Sequence, residues 1–286
     1  MKKSLYLVIS ALLAMTLFVG CATSNASNNQ AISVVSREDG SGTRGAFIEL
    51  FGIEVKGDDG TKKDMTTKDA VIANKTDVML TNVANDPNAI GYISLGSLND
   101  SVKALQIDGV VASAANVKNG TYPVARPFNI ATKGDLDELT ADFINFIMSK
   151  EGQDVVAASY IAIDENAPAF TSTKPAGKIT VAGSSSVTPI MEKLKEAYLV
   201  INPDAAIEIQ MTDSSAGLTS AMEGVAQIGM ASRELKDNEL AELNATAIAM
   251  DGIAVIVNNE NTLTGATSEQ IKAIFTGETT SWGDIK

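Results

Sequence analysis

The chain has 286 residues, a formal net charge of −13, no histidine and one cysteine. So acidic a surface repels nucleic acid, the missing histidines remove the commonest general base and metal ligand, and a lone cysteine excludes an intrachain disulfide. With 45% hydrophobic and 20% charged residues there is ample material for one or two folded domains.

Lys2 and Lys3 precede an uncharged apolar run from Leu5 to Val19. This charge pattern, on a run too short for a stable membrane span, predicts a cleaved signal peptide over residues 1–20. Cys21 follows directly and resembles the lipidated cysteine of a bacterial lipobox, although Phe18 stands where Leu is usual. By that resemblance the thiol carries the acyl chains and becomes the mature N-terminus, holding the protein at the cell membrane on its outer, extracytoplasmic side. Residues 21–30, small and polar, read as a tether.

Beyond the tether, strands alternate with helices in the manner of an α/β protein. Strands are expected at Ile32–Val35, Gly91–Leu95, Phe128–Thr132, Ile179–Ala182, Ala206–Met211 and Ile253–Val257. Thr67 caps a periodic run over Lys68–Val83, and Asp135 opens a helix with Leu136, Leu139, Phe143, Phe146 and Ile147 on one face. Pro189 occupies a first helical position, and Thr267 with Gln270 forms a capping-box pattern. A low-complexity connector, Asp164–Gly177, divides the chain near its middle.

Three strand-to-helix junctions share one chemistry: Arg37–Thr43 (REDGSGT), Ala182–Pro189 (AGSSSVTP) and Thr212–Gly217 (TDSSAG). Each places glycine and hydroxyl residues where a helix begins, so that free N–H groups and the positive end of the helix dipole face an incoming anion. The same residue types serve as ordinary caps, and no Gly-Lys-Ser or Gly-Lys-Thr follows to make a P-loop. In an acidic protein, anion binding falls to short-range donors and a local cation, for which Arg37 is the candidate. Asp39 is placed to hold Arg37 by a bidentate pair or to serve as a turn residue before Gly40. Arg233 with Glu234 forms either a second cationic site or a solvated turn.

Arg37–Thr43 resembles the RxDGSGT motif of the PstS family, the substrate-binding lipoproteins of phosphate ABC transporters. Ile179–Pro189 (ITVAGSSSVTP), Asp213–Gly217 and Ile228–Leu235 (IGMASREL) are similar to the family's other signatures. The resemblance implies a bilobal, periplasmic-binding-protein-like fold of type II, a Venus flytrap whose two α/β lobes bury one phosphate between them. It assigns phosphate oxygens to Arg37, Ser41, Gly42 and Thr43 on one lobe and to Ser185, Ser186, Ser214 and Ser232 on the other, with Asp39 orienting Arg37. Ser232 stands where many relatives carry an Asp that accepts the proton of hydrogen phosphate and excludes sulfate. The implied partners are inorganic phosphate and the permease and ATPase subunits of a transporter. The resemblance implies neither cofactor nor metal.

Segment order departs from the family, whose members begin with the Ile179-like strand. The departure predicts a circular permutation: the usual ends joined through residues 164–177, new ends opened between Lys286 and Ala31. The lobes are then 31–122 with 258–286, carrying RxDGSGT, and 123–257, carrying the GSSS and DSS motifs. The competing readings are a receptor for sulfate or molybdate, a phosphoesterase using the same loops, and a rearranged surface lipoprotein that binds nothing. With no histidine, no metal-ligand cluster and no nucleophile beside a base, the enzyme reading is set aside.

Overall fold

The computed structural model describes residues 30–57 and 61–285. The expected leader, Cys21 and the tether apart from Gln30 lie outside them. Eight strands are laid side by side: β1 (Ser33–Arg37), β2 (Val71–Ala73), β3 (Ala89–Ser94), β4 (Ala125–Thr132), β5 (Gly177–Ser184), β6 (Ala205–Thr212), β7 (Ile228–Ala231) and β8 (Asn244–Val257). Their order is β6-β5-β7-β4-β8-β3-β1-β2, with two short strands, Lys103–Ala104 and Ile161–Ala162, also on β8. Parallel blocks flank an antiparallel centre: β6, β5 and β7 on one side, β3, β1 and β2 on the other, with β4 and β8 between them. Every residue of β3 is buried, as a central strand covered on both faces requires.

Of the four apolar clusters among the described residues, the two largest lie one in each half. Phe128, Ile130, Phe143, Leu194, Tyr198, Ile207 and Ile248 share one core. Val34, Phe47, Tyr92, Val124, Ile253, Val255 and Phe275 share another, in which the rings of Phe47 and Tyr92 stack at 3.9 Å. Membership changes between Val124 and Phe128 on the β4 path and between Ala249 and Ile253 on β8. On β8 the change falls near Gly252, because β8 is one fourteen-residue strand whose far half, Ile253–Val257, pairs with β3.

The helix expected over Lys68–Val83 is also corrected. Val71 and Ile72 pair with β1 as strand β2, and the helix begins only at Thr76, running to Asn85. β-Branched neighbours beside an open parallel edge favour the strand over one more helical turn. The helix expected from Asp135 also begins later: Asp137 caps it by accepting the Thr140 N–H at 2.8 Å, the helix runs Glu138–Ile147, and Leu136 lies outside it and exposed. Pro189 stands in the first turn of the helix Thr188–Ile201, and Thr267 and Gln270 form their capping box.

The connector 164–177 is fixed to the body rather than loose. Phe170 packs on Phe146 at 5.2 Å, Ser172 Oγ donates to Asp142 Oδ2 at 2.6 Å, and the Lys150 N–H donates to the Pro168 carbonyl at 2.8 Å. At the other end of the molecule the two ends of the described chain meet. Ala31 bridges Ser281, and the Trp282 N–H donates to the Gln30 carbonyl at 3.0 Å.

Candidate anion site

All three junctions converge between the halves. β1 ends at Arg37, the chain turns through Asp39-Gly40, and the helix Gly42–Leu50 starts because Ser41 Oγ accepts the Arg44 N–H at 3.3 Å. From the opposite half, β5 delivers Ser184, Ser185 and Ser186, and the helix Ser214–Met222 begins behind the cap Asp213, which accepts the Ala216 N–H at 2.9 Å. β7 delivers Ser232. Arg37, Ser41, Gly42, Thr43, Ser185, Ser186, Ser214 and Ser232 are all buried.

The halves touch through these groups. Arg37 Nη2 donates to Ser185 Oγ at 3.0 Å, and the hydroxyls of Thr43 and Ser186 share a bond of 2.9 Å. The Ser215 N–H donates to the Gly40 carbonyl at 3.2 Å. Gly42 makes the approach possible: a Cβ there would lie 2.8 Å from Ser232 Oγ and closer still to Ser214 Oγ, so a side chain would hold the halves apart. Ser184 Oγ donates to Ser232 Oγ at 2.9 Å, and the Ser232 N–H donates to Ser214 Oγ at 3.2 Å. Hydroxyls both donate and accept, so this cluster offers donors to anion oxygens and acceptors to an anion's proton.

Arg37 is 2% exposed. Its Nε and Nη2 donate to the two carboxylate oxygens of Glu38 at 2.8 and 2.7 Å, while Nη1 is buried with no hydrogen-bond partner among the described residues. A buried guanidinium nitrogen without an acceptor is costly, and an anion is the natural acceptor. The carboxylate that orients Arg37 is therefore Glu38 and not Asp39. The chain turns directly after β1, which folds Glu38 back onto the guanidinium and sends Asp39 outward, 96% exposed, to pair with Arg44 Nη1 at 2.6 Å. Arg44 Nη1 also donates to the Arg37 carbonyl at 2.8 Å, so Asp39 acts on the loop at one remove. The backbone N–H of Arg37 donates to the Tyr92 hydroxyl at 3.1 Å, and burial raises that phenol, which stays protonated.

Three groups have no counterpart in the sequence reading. Thr76, buried at the start of its helix, has its hydroxyl 3.4 Å from Ser185 Oγ and 3.5 Å from Ser186 Oγ. Its signal was hidden inside the helix wrongly begun at Lys68. Arg126 and Asp251 face one another across β4 and β8, 2% and 1% exposed, and make a buried ion pair at 3.1 Å. Isolated charges within apolar strands carry no motif, though two such residues in strand-like runs are unusual enough to mark. Arg233 is buried rather than part of a solvated turn. Glu239 grips it through both oxygens at 2.7 and 2.8 Å. Burial pushes the Glu239 carboxyl up, but the Arg233 hydrogen bonds and the Lys236 N–H outweigh it and hold the group below its ordinary range. Beside the hydroxyl cluster a groove of about 990 Å³ runs between the halves, lined by Gly45, Glu49 and Lys62 on one side and Arg233, Lys236 and Asp237 on the other.

Two α/β halves joined by crossing strands, with a polar site at their junction, define the class of bilobal solute-binding proteins. A family model described as the PBP superfamily domain matches residues 21–151 and 168–285. Phosphate-binding protein PstS 2 of Streptococcus agalactiae serotype V is 53% identical over 283 residues, covering 98% of this chain and 96% of the relative. Phosphate-binding protein PstS 2 of Streptococcus pneumoniae serotype 4 is 48% identical over 291 residues, covering 100% and 99%. The crystal structure of a phosphate ABC transporter phosphate-binding protein from Streptococcus pneumoniae TIGR4 superposes with a TM-score of 0.72 at 50% identity, over 90% of this chain and 100% of that one. The chain belongs to the PstS family of phosphate-binding proteins.

Proposed function

We propose that this protein captures inorganic phosphate outside the cytoplasm and delivers it to an ABC transporter. The observation that carries the reading is Arg37 Nη1, buried without an acceptor among the described residues where serine and threonine hydroxyls from both halves meet. Its end-to-end relatives bear the name phosphate-binding protein. Each half supplies only part of the polar shell, so ligand capture and closure of the halves are one equilibrium. The proposed ligands of phosphate are Arg37, Ser41, Gly42, Thr43, Ser185, Ser186, Ser214 and Ser232, joined by Thr76. The protein binds and releases its ligand without turning it over, and a chromogenic phosphate ester should remain uncleaved. Calorimetric titration with phosphate, sulfate and molybdate tests the reading: phosphate binds most tightly, and a preference for sulfate or molybdate overturns it.

Two features of presentation belong to the same proposal. The chain is held at the membrane through lipidated Cys21, and Cys21→Ala should release it into the medium. Its segment order is a circular permutation that keeps the fold. Two observations support this: the ends of the described chain are hydrogen-bonded neighbours, and the connector 164–177 lies fixed along the opposite half. A match through 283 residues means that the streptococcal relative carries the same order, which speaks against an accident of this one gene. The hinge of the proposed lobes lies at Val124–Phe128 and Ala249–Ile253, where the two cores hand over.

A further inference from the structure

Ser232 lies at the centre of the hydroxyl cluster, yet nothing in its own short strand fixes it there: β7 ends at Ala231 and the chain turns away. Two side chains of the crossing strand β4 pin the loop from beneath. Arg126 Nη1 donates to the Ser232 carbonyl at 3.0 Å, and Asn129 Nδ2 donates to the Arg233 carbonyl at 2.9 Å. Arg126 is itself immobilised, since Nε and Nη2 both donate to Asp251 Oδ2 on β8 at 3.3 and 3.1 Å. Asp251 reaches the other half, its Oδ1 accepting from the Ser94 hydroxyl at 3.0 Å and the Gly96 N–H at 3.4 Å.

We infer that Arg126, held by Asp251, is a positioning residue of the anion site: it fixes the Ser232–Arg233 peptide and so places the Ser232 hydroxyl in the cluster. The inference rests on the phosphate reading only for its choice of ligand. The pair lies on the crossing strands, one member tied to the Ser232 loop and the other to Ser94 and Gly96 of the opposite half. A purely structural ion pair needs no bond to the Ser232 carbonyl. A guanidinium suits the task because one planar group can grip a carboxylate with two nitrogens and a carbonyl with the third, which an ammonium cannot do in the same geometry.

The test compares Arg126→Gln, Arg126→Lys and Asp142→Asn with the parent, by phosphate titration calorimetry well below each melting point and by the ¹⁵N–¹H signal of the Ser232 amide. Asp142 is buried in the core of the half that carries Ser232, where it accepts from Tyr198 and Ser172 without touching the site, so its variant controls for lost stability. Arg126→Gln is expected to lose at least tenfold in phosphate affinity and to shift the Ser232 amide. Arg126→Lys should lose severalfold with a smaller shift, and Asp142→Asn should melt earlier with affinity intact. If Arg126→Gln does not fold, the lysine variant decides. Parent-like affinity together with an unmoved Ser232 signal in the folded variants overturns the assignment. A parent that ignores phosphate overturns the phosphate reading instead, and the amide shift then decides the positioning role alone.

Discussion

Arg37 and Arg126 are the same residue type at the same 2% exposure, each gripped by a carboxylate, and they differ in one nitrogen. On Arg126 the remaining nitrogen meets the Ser232 carbonyl, so the guanidinium is fully used by the protein. On Arg37 it meets nothing among the described residues. Burial of a charge is therefore not what marks a binding residue. An incomplete set of partners at a buried junction of polar groups is the mark.

The largest effect that follows is on Arg37. Replacing it by Ala removes a charge-assisted donor worth about 1.5–3 kcal/mol, so phosphate affinity measured by calorimetry should fall about 10- to 150-fold. A loss below tenfold would erase the distinction between the two arginines. Next is Gly42→Ala, whose Cβ would meet Ser232 and Ser214 and hold the halves open. Affinity should fall about tenfold, the midpoint of thermal unfolding without ligand should hardly change, and small-angle scattering with phosphate should stay at the open radius. Ser186→Ala removes one neutral hydroxyl shared with Thr43, for about a fivefold loss of affinity.

The smallest effect concerns a guanidinium pair outside the clamp, Arg233 with Glu239. Glu239 and Asp64 both sit below their ordinary carboxylate values. Burial acts against the depression in both cases, and hydrogen bonds from Arg233 and the Lys236 N–H, or from Thr66 and Arg44, overcome it. A folded-state pKa below the unfolded one stabilises fully above the unfolded value, and the gain is lost as pH falls through the folded value. Urea unfolding should accordingly show stability declining on the acid side of the ordinary carboxylate range, with a shallower decline in Glu239→Gln.

How much of this the chain announces depends on whether the signal is local. Arg37, Ser41, Thr43, Ser185, Ser186 and Ser214 stand out because glycine and hydroxyls at a strand-to-helix junction are written within a few residues. Asp39 takes the turn position that the sequence left open beside the pairing with Arg37 implied by the resemblance, and spacing alone cannot decide because it does not say where a strand ends: a turn starting one residue later would put both side chains on one face. Thr76 was lost because Val71-Ile72-Ala73 suits helix or strand until the neighbouring edge of β1 is known. Arg126 and Asp251 become a pair only through a register of 125 positions' separation, which no local pattern carries.

The most direct test of the central claim is a crystal structure of the phosphate complex. The account predicts one phosphate buried between the halves, with an oxygen about 3 Å from Arg37 Nη1, and with the Ser185 and Ser186 hydroxyls turned from Arg37 and Thr43 towards the ligand. A phosphate bound elsewhere, or bound in the cleft with Arg37 Nη1 still without a partner, would contradict it.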